Sequence, residues 1–214
     1  MLFIKMMAAV NTFFFPIVYK LFGKRGIKAW QLILYQMGMD RSLILKQELK
    51  VDVNDARSLG KIIDYDDGLA RVKGIWVTEK KGKAIKVVKI CPIGRILRPE
   101  ICLNLVAALE AGTFYPLNPN IKVPEITKLI SKGDYCCVGV IELPYLDKRI
   151  ADQDSSYSTG KNYAPPINIA HLNRRLFFIS MKSLFKAIFR FFKYGTSQKM
   201  HWYEFFEYKG QCHM

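Results

Sequence analysis

Residues 69–90 read LARVKGIWVTEKKGKAIKVVKI, and this stretch decides the fold class of the chain. Apolar and polar side chains alternate in 69–79 and again in 84–90, and both segments are rich in β-branched residues, as in half-buried strands. The intervening residues KKGK, at 80–83, form a short polar turn that contains a glycine. The stretch therefore predicts an antiparallel β-hairpin.

Two helical patterns precede the hairpin. From Gly26 to Leu49 apolar residues recur at helical spacing, and Gly38 is expected to loosen the middle of that helix. Residues 54–65 predict a second helix, which Asp52 or Asn54 can cap. Its buried stripe is expected to consist of Ala56, Leu59, Ile62 and Ile63.

Further elements follow the hairpin. Residues 99–111 predict a helix with Pro99 in its first turn and Gly112 just after its end. The segment 126–130 fits either a strand or a short helix, and 135–143 (YCCVGVIEL) predicts a strand. This order indicates an α+β fold, in which N-terminal helices pack on one face of an antiparallel sheet and a basic amphipathic helix ends the chain.

The chain length of 214 residues suits one domain with additions. We predict an apolar N-terminal segment at 1–22, an α+β domain at 23–146, a linker at 147–170 and a basic, aromatic-rich helical tail at 171–214. The linker is predicted because 147–168 is polar, contains Ser, Gly and Pro, and has no periodicity.

The N-terminal segment is apolar but short. Residues 6–19 carry no charge over 14 positions, which is fewer than the ~20 that a membrane-spanning helix needs. Asn11, Thr12 and Pro16 interrupt the segment, and no small-residue cleavage site follows it. We expect a hydrophobic helix that packs on the domain or lies in a membrane interface.

Positive charge is concentrated at the two ends of the chain, whose formal net charge is +15. Residues 1–50 carry 8 Lys and Arg against 2 acids, 51–150 carry 16 against 12, and 151–214 carry 9 against 4. Such ends face phosphate in nucleic acid or anionic lipid, or form an ordinary solvated surface. No nucleic-acid-binding motif accompanies the charge, so nucleic acid is not a predicted partner.

Residues 172–194 (LNRRLFFISMKSLFKAIFRFFKY) predict an amphipathic helix with six basic residues and no acid. Five of the basic residues fall in one sector. The opposite side is apolar and consists of Phe177, Leu184, Phe185, Ile188, Phe191 and Phe192. The helix could dock on an anionic membrane surface, on a partner protein, or with its Phe stripe on the protein's own sheet.

Four of the five cysteines lie in residues 90–143, namely Cys91, Cys102, Cys136 and Cys137. An odd number of cysteines without a secretory context predicts reduced thiols in a cytoplasmic protein. On a strand, Cys136 and Cys137 would point to opposite faces. With the Asn118 turn and the Gly133-Asp134 turn nearby, thiols and polar groups from distant segments are expected to converge on one pocket.

Common catalytic and metal-binding motifs are absent from the sequence. The cysteine-containing block has no C-x-x-C pair and none of the three histidines, so no metal site is predicted. The chain also has no nucleophile elbow, phosphate loop or dinucleotide-binding glycine pattern. The sequence leaves the cofactor unknown.

The segments CPIGRIL, ICLNLVAALEAG, LNPNIKV and KLISKGDYCC, within 91–137, resemble the L-2-amino-thiazoline-4-carboxylic acid hydrolase family. More distantly they are similar to vinyl-reductase-type small-molecule-binding domains, in which a Gly-Asp turn also precedes a cysteine strand. Upstream, Phe22-Gly23 before a long helix and the AR-x-LG-x-x-x-D segment at 56–64 match as well. The resemblance covers roughly residues 20–143 and leaves out the apolar N-terminal stretch and the basic tail.

The resemblance implies a hydrolase that opens a small cyclic isothiourea-type acid, a C–N/C–S ring compound. A thiolate could attack the ring carbon or bind a metal that activates water, and an amide could hold the developing charge. Each thiol could equally be a small buried hydrophobic group. The matched positions give Cys91, Asp134 and Cys137 as catalytic candidates, and Asn118, Cys102 and Cys136 as substrate-binding candidates.

The alternative function is a non-catalytic sensor or accessory protein. It would bind a small molecule in the same domain and would be held at an anionic membrane surface by residues 172–194. In that case the protein is peripheral to the membrane.

Overall fold

The computed structural model describes residues 2–92, 94, 102–144, 147–157 and 169–194. Within these ranges the α-helices are α1 Leu2–Glu48, α2 Ala56–Ala70, α3 Ala107–Phe114, α4 Lys148–Ala151 and α5 Ile169–Tyr194. The strands are β1 Lys73–Glu79, β2 Lys83–Ile90, β3 Lys122–Lys128 and β4 Cys137–Glu142. The predicted α+β class is confirmed.

The four strands form one antiparallel sheet in the order β1-β2-β4-β3. The predicted hairpin is confirmed as β1 and β2, and the predicted strand at 135–143 as β4. The segment 126–130, for which the sequence fitted either a strand or a short helix, contributes its first residues to the edge strand β3.

The described helices cover one face of this sheet. Trp76 packs against Gly60 of α2, whereas its neighbours Ile75 and Val77 are exposed. Since successive side chains of a strand point to opposite faces, the side that carries Ile75 and Val77 is the open one.

The N-terminus of α2 is capped by a buried carboxylate. Asp55 has an extended backbone, and its Oδ1 accepts a hydrogen bond from the Ser58 N–H at 3.0 Å. The predicted caps, Asp52 and Asn54, were therefore wrong by one to three positions. The predicted stripe of α2 is confirmed at Ala56, Leu59 and Ile62, which are buried.

Helices α1 and α3 approach each other closely at two glycines. A Cβ atom on Gly38 would lie 2.4 Å from the Leu109 carbonyl oxygen, and one on Gly112 would lie 2.1 Å from the Tyr35 carbonyl oxygen. Gly38 therefore permits tight packing instead of loosening α1, and Gly112 lies inside α3 instead of after it. Both predictions were wrong because spacing along one helix does not reveal the backbone of its neighbour.

The apolar N-terminal segment is helical and continues into the first predicted helix through one interruption. Gly23 has φ 55° and ψ −141°, a positive φ that favours glycine, and it separates residues 2–22 from 24–48 of α1. Among the described residues, no helix is both long and apolar enough to cross a membrane.

The described part of the predicted linker, 147–157, is bonded to the hairpin turn. Lys80 and Asp154 form an antiparallel bridge, and the Gly82 N–H donates to the Ala151 carbonyl at 2.9 Å. Ser155 Oγ donates to the α2 cap, Asp55 Oδ2, at 2.8 Å. This segment therefore fastens the hairpin turn to the start of α2. Residues 158–168 lie outside the described ranges.

The predicted C-terminal helix is confirmed as α5, which packs antiparallel to the second half of α1. Arg175 pairs with Glu48, Ser183 Oγ donates to Asp40 Oδ2 at 2.6 Å, and Leu172 is buried. Phe177 and Phe185, two residues of the predicted apolar stripe, are exposed and are not packed on the sheet. The side chains of Ile188, Phe191 and Phe192 lie outside the described set.

The buried apolar residues form two groups. The larger lies between the sheet, α1, α2 and α5 and includes Leu45, Leu59, Ile62, Phe114, Ile141 and Leu172. The smaller joins α1 to the chain before and within α3 and consists of Leu34, Met37, Leu105 and Ala108. The second group, together with the glycine contacts, fixes the position of α3 and of the cysteine that precedes it.

Candidate ligand site

Three cysteines from separate parts of the chain lie within one electrostatic environment. Cys91 directly follows β2, Cys102 begins a π-helical turn at Cys102–Val106, and Cys137 is the first residue of β4. Cys91 and Cys137 both contribute to raising the pKa of Cys102, so the three thiols lie within the range of one another's electrostatic influence. All three side chains are half-buried.

Two of these thiols are held in the neutral form. Burial raises the pKa of Cys102 to about 11, with Ser131 opposing the shift. Burial also raises the pKa of Cys137, although the Ile130 N–H, 3.1 Å from its sulfur, lowers it. Because the thiolate is the attacking species, neither thiol is prepared as a nucleophile at neutral pH.

Ser131 lies beside this group of thiols. Its Oγ is buried and has no hydrogen-bond partner of normal geometry. It nevertheless lies close enough to Cys102 to lower the pKa of that thiol. Cys91 Sγ accepts a hydrogen bond from the Gly94 N–H at 3.1 Å. Residues 93 and 95–101, which connect Cys91 to Cys102, lie outside the described ranges.

Asp134 lies at the edge of the thiol group. Its Oδ2 accepts a hydrogen bond from the Leu129 N–H at 2.7 Å and so closes the turn before β4, in which Gly133 has φ 98°. Its charge also helps to raise the pKa of Cys137. The carboxylate is therefore near the site, but its hydrogen bond is to the turn.

The observed contacts of the other two predicted residues are structural. Cys136 is buried just before β4. Asn118 Nδ2 donates to the Val53 carbonyl at 2.9 Å, and its Oδ1 accepts from the Asn120 N–H at 3.0 Å. Asn118 thereby ties the loop after α3 to the loop before α2.

Glu110 adds a carboxyl group that the sequence motifs did not single out. It lies on α3, eight positions after Cys102, and it contributes to the raised pKa of that thiol. Part of the residue is accessible to solvent, yet burial of the carboxyl raises the pKa of Glu110 to about 7. Asp67 and Asp66 add to this shift, and Arg41 opposes it. A carboxyl that titrates near neutral pH is suited to accept and donate a proton.

The carboxylates that act on Glu110 belong to an ion network along α2. Arg41 makes two hydrogen bonds to Asp66, at 3.0 and 2.6 Å. Lys86, which is buried in β2, lies 2.7 Å from Asp67 Oδ2 and 2.5 Å from Asp64 Oδ1. Burial raises the pKa of Asp67, and the charge of Lys86 opposes that shift.

The AR-x-LG-x-x-x-D segment that contributed to the resemblance forms the junction between α2 and the sheet. Arg57 bonds to Glu79 at 2.8 Å and to Asp64 at 3.1 Å, and its guanidinium lies 4.4 Å from the centre of the Trp76 ring. A Cβ on Gly60 would lie 2.5 Å from that ring. These motif residues therefore pack α2 onto β1.

Comparison with known proteins adds no family to this description. No family model matches the chain, and no curated protein or solved structure shows significant similarity to it. The resemblance to the thiazoline-carboxylate hydrolases therefore remains a prediction. Within the described part of the chain, no three His, Cys, Asp or Glu side chains are arranged to hold a metal ion.

Proposed function

We propose that the protein binds a small cyclic C–N/C–S compound beside Cys91, Cys102 and Cys137 and hydrolyses it, with Glu110 transferring the proton. The observation that supports this best is the grouping of three thiols from distant segments with a carboxyl whose pKa is about 7. Neutral thiols are small and polarisable, which suits contact with a sulfur-containing ring. The sequence resemblance supports the same class of substrate.

The proposed proton transfer follows from the two forms of Glu110. Hydrolysis at a C=N carbon needs water as the attacking group and a proton for the ring nitrogen. The carboxylate of Glu110 accepts a proton from the attacking water, and the carboxylic acid so formed donates it to the nitrogen. The adduct then opens by breaking the ring C–S bond: the added hydroxyl becomes the carbonyl oxygen and gives its proton to the departing sulfur, which leaves as a thiol. A pKa of about 7 keeps both forms populated at neutral pH. In this scheme the thiols bind the ring, and none of them attacks it.

The test compares Glu110→Gln with Cys102→Ser, using 2-amino-thiazoline-4-carboxylic acid as the first substrate and mass spectrometry to follow ring opening. We expect Glu110→Gln to lower kcat roughly 100-fold or more and to remove the step near neutral pH from the rate profile. Cys102→Ser should mainly raise KM. Asp152→Asn, an acid-to-amide change at an exposed residue, is the control for kcat.

Different results would reject the proposal. If Glu110→Gln retains the kcat and the pH profile of the wild type, Glu110 does not transfer the proton. If Cys102→Ser alone abolishes kcat, with binding retained, the thiol is the attacking group.

A non-catalytic small-molecule-binding protein is the second candidate, and the raised pKa values of Cys102 and Cys137 favour it. Neutral thiols offer a binding surface but no ready nucleophile. This function predicts that calorimetry detects equal ligand binding by the wild type and Glu110→Gln, with no ring opening by either protein.

A further inference from the structure

We propose that the surface formed by residues 13–25 of α1 and 174–189 of α5 docks in the headgroup region of an anionic membrane. We call it the docking surface. The proposal concerns a different part of the protein from the thiol site and does not depend on the proposed function.

The α5 part of the docking surface carries a row of exposed aromatic side chains. Phe178, Phe185 and Phe189 are 60%, 66% and 69% exposed. They are separated by seven and four positions, so they lie on one side of a helix with 3.6 residues per turn. Helix α5 meets α1 through Leu172 and Leu176, which lie on another side. Packing within the described fold therefore leaves these phenylalanines in solvent.

The α1 part carries a second apolar row. Phe13, Ile17 and Leu21 follow one another at four-residue spacing, and Phe13 and Leu21 are each 67% exposed. Phe22, just before the interruption at Gly23, is also exposed. Two exposed apolar rows on separate helices mark an interaction surface more strongly than single exposed residues would.

Helix α5 runs antiparallel to the second half of α1, so its C-terminal end points towards Gly23, where the α1 row ends. Arg175 pairs with Glu48 and Ser183 with Asp40, so eight residues forward along α5 correspond to eight residues back along α1. Continued at the same register, Tyr194 lies level with Ala29. That position is about 9 Å along the helix axis from Gly23, at ~1.5 Å per residue.

The charge around these rows identifies an anionic occupant. Residues 1–39 hold five basic residues and no acid, and residues 169–194 hold six and no acid. Lys20 and Arg25 on α1 are exposed, as are Arg174, Lys182 and Lys186 on α5. Apolar rows flanked by basic side chains are the pattern of helices that lie in a membrane interface, where each basic residue is attracted to anionic lipid. A lipid surface also accommodates two separate rows without a matching groove.

The experiment is flotation of the full-length protein with vesicles of phosphatidylcholine, alone or mixed with phosphatidylglycerol, at low and at high salt. We expect binding to the mixed vesicles only, and weaker binding at high salt because salt screens the charges. Phe185→Ser with Phe189→Ser should weaken binding at least about tenfold. Ile75→Ser with Val77→Ser, which changes two exposed apolar residues on the open face of the sheet, should leave binding unchanged.

A second pair of variants separates local from overall charge. Lys182→Glu with Lys186→Glu should weaken binding roughly tenfold or more. Lys73→Glu with Lys89→Glu makes the same change in net charge at exposed residues of β1 and β2 and should have much less effect. Circular dichroism checks that each variant is folded. If the Phe185/Phe189 variant does not fold, Phe178→Ser replaces it.

Three results would overturn the proposal. The first is no binding of the wild type to phosphatidylglycerol vesicles at low salt. The second is equal loss of binding in a docking-surface pair and its control pair. The third is a dimer in sedimentation experiments without vesicles that the Phe185/Phe189 variant loses, because the surface would then be a protein interface.

Discussion

Glu110 illustrates how one carboxyl takes its properties from a distant segment. It is the only charged residue between Glu100 and Lys122, and the local pattern around it is that of an apolar helix. Its raised pKa arises from burial and from Asp66 and Asp67 of α2, more than 40 positions earlier. The same shift that would serve catalysis also affects stability.

The free energy of unfolding should fall as the pH rises through the range set by Glu110. Its pKa is raised from 4.5 to about 7 in the fold, so between these values the folded protein holds a proton that the unfolded chain has lost. The stabilisation is complete below 4.5 and is lost above 7. Above neutral pH, Glu110→Gln should therefore be more stable than the wild type by up to about 3 kcal/mol.

Urea unfolding at a series of pH values measures this effect. The difference between Glu110→Gln and the wild type should shrink steadily towards acid pH. Asp152→Asn, at an exposed residue, should follow the wild-type curve, and an unchanged slope in Glu110→Gln would contradict the assignment.

At the residue level, the sequence indicated Cys91, Cys102 and Cys137 because they stand in one block with turns between them. It did not indicate Glu110, because the groups that shift its pKa come from α2. Asn118 stood out for its turn, but its amide bonds to Val53, a contact between loops that no local pattern encodes.

At the level of elements, the contact between α1 and α3 depends on two glycines, which have no side chain. Gly38 and Gly112 let two helix backbones meet where any larger residue would force them apart. This contact positions α3, and α3 in turn carries Glu110. The helix pair therefore holds one part of the proposed site in place.

Gly38→Ala should destabilise the protein by roughly 2 kcal/mol or more, because the new methyl group would lie 2.4 Å from the Leu109 carbonyl oxygen. Gly68→Ala in α2 is the matched control, since no atom lies within 4 Å of its added Cβ. It should be neutral or stabilise by up to about 1 kcal/mol, owing to the higher helix propensity of Ala. Thermal and urea unfolding of both variants give the comparison, and equal stability of the two would show that α1 and α3 can separate without loss.

The elements that the sequence predicted correctly are those with strong local periodicity. The alternation in 69–90 is sufficient to predict the hairpin, and the apolar spacing in α2 predicts its buried stripe. The cap at Asp55 was missed because three neighbouring residues, Asp52, Asn54 and Asp55, all have suitable side chains. The bonds of segment 147–157 to the hairpin turn do not show in the sequence, because they are made mainly by backbone groups.

At the level of the whole molecule, α5 acts as a structural layer and also presents an exposed face. Its inner side contributes Leu172, Leu176 and Ser183, which are buried, and its outer side carries the exposed phenylalanines. The sequence predicted the helix and its charge but favoured no single docking partner. Phe178, Phe185 and Phe189 are exposed, whereas Leu172 and Leu176 are buried, and only the structure reveals this division.

These two sides of α5 should respond differently to truncation. Leu172→Ala with Leu176→Ala removes buried side chains and should lower the free energy of unfolding by about 4 kcal/mol or more. Phe178→Ala with Phe189→Ala removes larger but exposed groups and should change it by less than about 1 kcal/mol. Urea unfolding without lipid measures both. A larger loss in the Phe variant would mean that those rings are buried in solution.

The pairing of α1 with α5 also bears on the order of events during synthesis. Its bonded residues are 127 and 143 positions apart in the chain, Arg175 with Glu48 and Ser183 with Asp40. Helix α1 is translated before the hairpin and β4, and the helix that covers it is translated after them. Contacts between such distant segments form late in folding. The side of α1 that α5 covers therefore stays exposed on the nascent chain while the hairpin and β4 are translated.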